Sequence, residues 1–188
     1  MKDKWLYERF VAHRGLHGGE VKQNTMQAFK NAVKNGYNIE LDVQLTKDKV
    51  PVVFHDLTLA HLTAHEENVR DLTYEELKKV RYKDSDAGIP TFREVLDLCE
   101  GKTGLMIEFK KLSIDDQNYE LEDIVLPILK QYKGEFIVKS FNPFSVDYFR
   151  INAPEFTRGL LSDALTIEDY PITARQMILD LTGDTEKR

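Results

Sequence analysis

Strand-like apolar runs near residues 10–15, 38–45, 50–55, 104–110, 136–141 and 157–162 alternate along this chain with segments of helical spacing. That alternation restricts the fold more than any other feature. It describes an α/β chain whose parallel sheet is covered by helices. Parallel neighbours need a crossover of about a dozen residues or more, and the helical segments provide it. One join breaks the rule. Only "TKDK" separates the second run from the third, so either an extended link returns along the sheet or that pair is antiparallel.

The helical segments carry their own start and stop signals. "NTMQAFKNAVKNG" predicts a helix with Asn24 as N-cap, Gln27 three residues later and Gly36 as the stop. Met26, Phe29 and Val33 share one face of it. Thr73/Glu76 and Thr91/Glu94 have capping-box spacing. Leu121, Ile124, Val125, Ile128 and Leu129 mark another helix, with a kink expected near Pro127. Asn142 and Pro143 open a further one, and "TIEDYPITARQMILDL" reads as helix interrupted by Pro171.

A length of 188 residues suits one domain, 1–188, with a sizeable core. Net charge is −6, which argues against nonspecific nucleic-acid binding. The single cysteine, Cys99, excludes an intrachain disulfide and a cysteine-rich metal site. No apolar run approaches the ~18 residues of a membrane span, and "MKDKWLYERF" makes a poor leader. The expectation is a cytoplasmic protein with no membrane insertion.

Chemistry concentrates where the strands end. Glu40 and Asp42 are two apart in "NIELDVQLT", so they share a face while Ile39, Leu41 and Val43 take the other. Two carboxylates on one buried face repel and lose hydration unless something compensates, and a divalent cation would. The first run ends in His13 and Arg14, the third in His55 and Asp56, the fourth in Glu108 and Lys110, the fifth in Lys139 and Ser140. Singly, each has an ordinary structural explanation: an exposed face, a surface ion pair, a hydrogen-bonded histidine. Five strands turning ionisable at one edge resemble an α/β active site, where loops converge. The acids suit a metal, the histidines proton transfer, the cations a phosphate. Lys139 alone says little. Cys99 reads as packed, and His17 with its glycines as a flexible loop.

At these residues the chain resembles the glycerophosphodiester phosphodiesterase family. The matching pieces are "AHRG", "QNTMQAF", "IELDVQLTKDKVPVVFHD", "LTYEEL", "IPTFREVL", "IEFK" and "SF", in order, over most of residues 11–141. The resemblance implies a TIM-type (β/α) barrel that hydrolyses glycerophosphodiesters to an alcohol and glycerol 3-phosphate with a divalent cation, Mg2+ or Ca2+. It implies Glu40, Asp42 and Glu108 as metal ligands, His13 and His55 as the acid/base pair, and Arg14 and Lys110 as phosphate contacts. Which histidine is acid and which base stays open.

Two positions depart from the family: Gln23 replaces a glutamate, and His61 an arginine. The implied barrel has eight strands and the sequence six, so the expectation is a C-terminally truncated barrel. Its first and sixth strands would be open edges able to self-associate. Two other readings stand beside the leading one. One is a sphingomyelinase D-type phospholipase, against which the single cysteine counts. The other is a catalytically silent binding or assembly module.

Overall fold

The computed structural model describes residues 3–163 and 170–182. Its six strands are β1 (Val11–Ala12), β2 (Asn38–Leu45), β3 (Pro51–Val53), β4 (Leu105–Phe109), β5 (Phe136–Ser140) and β6 (Thr157–Leu160). Five run in the order β1-β2-β4-β5-β6, each parallel to its neighbours. β3 branches off, pairing antiparallel with the far end of β2 from Val43↔Val53 to Leu45↔Pro51. The irregular join is therefore a hairpin, closed by the Thr46 N–H donating to Val50 O at 3.1 Å, with Lys49 left-handed at φ 66.

The helices are α1 (Trp5–Glu8), α2 (Met26–Lys34), α3 (Tyr74–Leu77), α4 (Phe92–Cys99), α5 (Glu120–Gln131), α6 (Pro143–Asn152) and α7 (Ile172–Thr182). With the parallel strands they form an arc of a TIM-type (β/α) barrel. Among the described residues β1 pairs only with β2 and β6 only with β5, so the open edges fall on the first and sixth strands as expected.

Alternation along the strands separates two layers. Ile39, Leu41, Val43, Leu105, Ile107 and Val138 turn outward and join Phe29, Phe92, Val95, Val125 and Phe149 in one buried cluster. Phe29 is fully buried there, and truncating such a side chain costs about 3–5 kcal/mol. A second cluster of Val52, Phe54, Leu59, Leu77, Val80 and Tyr82 fixes the segment after β3. A third packs Phe144 of α6 against Tyr170, Ala174 and Ile178. At the opposite end of the sheet, Trp5 lies on Gly104, and Asn38 stitches α1 to β4 through Trp5 O and Gly104 N.

Both threonine capping boxes form as the spacing requires. Asn142 caps α6 with Pro143 in its first turn. α2 differs: its cap is Thr25, whose hydroxyl accepts from Ala28 N, because Asn24 takes a left-handed φ of 52 and turns its amide elsewhere. α5 runs through Pro127 as one helix. The loop holding His17 is not loose either. Gly18 and Val21 exchange two backbone hydrogen bonds of 3.0 and 3.1 Å. The start of "TIEDYPITARQMILDL" lies outside the described residues, and α7 begins just past Pro171.

Candidate active site

Parallel register builds the site. Asp42 on β2 pairs with Glu108 on β4, and Glu108 pairs with Lys139 on β5. Glu40 lies two residues before Asp42 on the same face. Glu40, Asp42 and Glu108 are all buried, and one oxygen from each falls within 4.8 Å of the others. That spacing is small enough for a single cation to be shared among them.

Cations surround the acids. Lys110 reaches Glu108 at 2.7 Å and Asp42 at 3.6 Å. Lys139 bridges Glu40 at 2.8 Å and Glu108 at 3.2 Å. The Arg14 Nε lies 3.7 Å from Asp42, while its Nη1 donates to Gln23 Oε1 at 3.0 Å. Arg14 also turns its backbone N–H onto Glu40 Oε2 at 3.0 Å. A left-handed φ of 57, rare for a non-glycine residue, accompanies that hydrogen bond. Gly15 continues the bend at φ 81 with Ala28 pressed against it, 2.8 Å from where a Cβ would stand. This turn thus belongs to glycine.

Two opposite outcomes follow for the acids. Burial and the neighbouring Glu40 charge push the Asp42 carboxyl above its usual range, outweighing the Asn24 hydrogen bond and Lys110. Burial also pushes on Glu108, but the hydrogen bond and charge of Lys110 and the charge of Lys139 win, leaving it below its usual range.

The histidines arrive from the two flanks. His13 follows β1, and its Nε2 lies 3.9 Å from Glu40 Oε2 with the ring two-thirds exposed. His55 follows β3, and its Nδ1 contacts Asp56 Oδ1 at 2.5 Å. His61, largely exposed, meets the other oxygen of Asp56 at 3.3 Å. Gln44 anchors this segment by donating to Phe54 O at 2.7 Å and Asp56 O at 2.9 Å. Beside Glu108 opens a cleft of about 140 Å³ lined by Lys110, Ser113, Ser140 and Asn142.

Several polar atoms here are buried without a hydrogen-bond partner: Asp42 Oδ1, Arg14 Nε, Asn24 Oδ1 and the Tyr82 hydroxyl. Tyr82 is nearly inaccessible, and burial with the Asp42 and Asp56 charges pushes its phenol far up. Native interiors pair almost all such groups with protein, water or an ion. Asp42 Oδ1 and its neighbouring carboxylates are hard oxygen donors, and they fit a divalent cation.

All seven residues singled out from sequence come to this edge. Three further ones do as well. A lone lysine in a strand says little, but the register of Lys139 opposite Glu108 makes it the link between two acids. Asn24 has the chemistry of a cap, and it donates to Asp42 Oδ2 at 2.8 Å instead. Asp56 stands next to a strand-end histidine, and a carboxylate in that position is a sequence signal for a hydrogen-bond partner of the imidazole. Cys99 is buried and its thiol pushed up to about 12 by burial, as its packed reading requires.

Comparison with known proteins gives one answer. The model of the glycerophosphoryl diester phosphodiesterase family matches residues 13–181. A glycerophosphodiester phosphodiesterase of Caldanaerobacter subterraneus subsp. tengcongensis is 37% identical over 175 residues, covering 88% of this chain and 71% of its own. One from Bacillus altitudinis is 34% identical over 163 residues, covering 82% of this chain and 66% of its own. An Oleispira antarctica phosphodiesterase, solved with the product sn-glycerol-3-phosphate, superposes with TM-score 0.76 at 26% identity, covering 93% of this chain and 72% of that one. The Thermotoga maritima glycerophosphodiester phosphodiesterase gives TM-score 0.69 at 32% identity, covering 86% and 66%. The chain thus spans between 66% and 72% of the length of these four relatives. Sequence, topology and the acid-lined strand edge agree, and the chain belongs to the glycerophosphoryl diester phosphodiesterase family.

Proposed function

We propose that this chain, as one domain over residues 1–188, hydrolyses glycerophosphodiesters to an alcohol and glycerol 3-phosphate. The observation that carries this reading is the meeting of Glu40, Asp42 and Glu108 within 4.8 Å, at the strand edge that also receives both histidines, in a member of this family. The product bound to the Oleispira antarctica relative supports the substrate class.

In this reading Glu40, Asp42 and Glu108 hold Mg2+ or Ca2+, for which carboxylate oxygens are the usual ligands. When bound, the cation would draw charge from a nonbridging phosphate oxygen and help orient the glycerol hydroxyls. Arg14 and Lys110 contact the equatorial oxygens and offset the charge that builds there. Arg14 suits this task because its guanidinium is already held by Gln23 and faces Asp42.

Proton transfer falls to the imidazoles. With Nδ1–H donated to Asp56, His55 keeps its lone pair on Nε2, which is the form a general base needs. His55 Nε2 takes the proton of the attacking oxygen, from water or the adjacent glycerol hydroxyl, as the new P–O bond forms. The bond to the leaving alcohol breaks, and His13 Nε2 gives that alkoxide its proton. If the glycerol hydroxyl attacks, a cyclic phosphate results. Water then opens it with the two histidines exchanging roles, which restores both protonation states.

The test is release of glycerol 3-phosphate from glycerophosphocholine by wild type, His13→Ala, His55→Ala and Glu40→Gln, each with and without EDTA. Metal-dependent release by wild type alone is the expected result. Equal rates in all four proteins would end the mechanism. Choline release from sphingomyelin instead would move the chain to the phospholipase reading.

A further inference from the structure

The acid cluster carries its own counter-charge, and Lys139 is the part of it that stands in a cation's way. All four oxygens of Glu40 and Glu108 are engaged. Glu40 Oε1 accepts from Lys139 at 2.8 Å and Oε2 from the Arg14 N–H at 3.0 Å. Glu108 Oε1 accepts from Lys110 at 2.7 Å and Oε2 from Lys139 at 3.2 Å. Of the six carboxylate oxygens of this cluster, Asp42 Oδ1 alone lacks a hydrogen-bond partner. Three carboxylates face three cations, Arg14, Lys110 and Lys139, so the cluster is balanced by side chains alone.

The position of Lys139 differs from that of the other two. Arg14 and Lys110 approach from the loop after β1 and the end of β4. Lys139 comes from within β5, as the register partner of Glu108, with only 11% of its side chain exposed. Its ammonium spans the two glutamates that a shared cation would also have to span. An ammonium is a compact point charge on a flexible stem, able to neutralise carboxylates yet free to swing aside. Two like charges within a few ångströms in a buried site repel strongly.

We infer that the Lys139 ammonium is a built-in competitor of the divalent cation, holding Glu40 and Glu108 together until a cation displaces it. The inference rests on the reading of Glu40, Asp42 and Glu108 as the cation site. It makes Lys139 a positioning residue that sets how tightly the site holds a metal, separately from any step of the reaction.

The experiment is isothermal titration calorimetry of Mg2+, Ca2+ and Mn2+ into wild type, Lys139→Gln and Lys139→Arg. Lys139→Gln should bind at least about tenfold more tightly than wild type, since one positive charge has left a buried site. Lys139→Arg, which keeps the charge, should stay within about threefold of wild type on the same ground. Thermal melting in EDTA and in metal covers the case in which Lys139→Gln is unstable when metal-free. Its melting temperature should then rise more on metal addition than that of wild type. Wild-type binding with no gain in Lys139→Gln, or an equal gain in Lys139→Arg, overturns the competitor and leaves the cation site standing. Silence of wild type and Lys139→Gln towards all three metals removes the cation site and the competitor with it.

Discussion

Asp42 and Glu108 are direct register partners on adjacent parallel strands, and Lys110 sits 3.6 Å from one and 2.7 Å from the other. Like charges placed opposite each other destabilise a sheet unless cations lie between them, and Lys110 is one such cation. Asp42→Asn should reduce divalent-cation affinity and glycerol 3-phosphate release by more than the roughly 10- to 100-fold that loss of a partner behind a metal ligand costs. In EDTA the same variant should be as stable as wild type or more so. The Asp42 carboxyl is raised by burial and by Glu40, so its ionised form opposes folding at neutral pH. The sign follows: metal-free wild type gains stability from this group as pH falls through its raised value. Calorimetric titration and urea melts in EDTA check both halves.

Asp56 should act on His55 and carry the opposite pH signature. Asp56→Asn replaces the carboxylate that holds His55 Nδ1–H with a neutral amide whose NH2 can favour the wrong tautomer, and turnover should fall by about 10²–10⁴ with KM changing less. Burial alone would raise the Asp56 carboxyl, but the hydrogen bonds and charges of His55 and His61 outweigh it and hold it below its usual value. A depressed acid contributes stability above its unfolded value of 3.8 and loses it as pH falls through the lower folded value. Wild type should therefore outlast Asp56→Asn at pH 5, and the gap should narrow as pH falls below 3.8. Denaturant midpoints across that range are the measurement.

Asn24 supports the site from behind. Its amide donates to Asp42 Oδ2 at 2.8 Å from a left-handed backbone position. Asn24→Ala should weaken cation binding by about 10- to 100-fold, as loss of a partner to a metal ligand does elsewhere. α2 should persist because Thr25, not Asn24, caps it. Circular dichroism beside metal titration separates the two effects.

Gly104 is a structural counterpart remote from the chemistry. A Cβ there would overlap the Trp5 ring, and Trp5 is the sole tryptophan of the chain. Gly104→Ala should destabilise by about 1–3 kcal/mol, the usual cost of overpacking. It should also shift tryptophan emission to the red as the ring moves towards water. Unchanged emission would contradict the packing described at this end of the sheet.

Much of this was legible in the residues themselves. Strand spacing, the face shared by Glu40 and Asp42, and both threonine capping boxes depend on local chemistry, and local chemistry is what a linear pattern records. Lys139 was missed because a lysine in a strand is informative only once register sets it opposite Glu108, and register is a property of two strands. Asn24 resembles the cap of α2 in sequence for a related reason. A left-handed turn moved the cap by one residue to Thr25, and the preference of both residues for that position hid the shift. The antiparallel β3 was one of two options that the short "TKDK" link left open, and the hairpin decided between them.

β2 also works as a caliper. β1, which leads into His13, docks at Asn38 and Ile39, while β3, which leads to His55, docks at Val43 to Leu45. The jaws are thus separated by one continuous stretch of backbone, at about 3.3 Å per residue. Adding or removing a single residue between Glu40 and Asp42 would reset the gap and put the two carboxylates on opposite faces of the sheet.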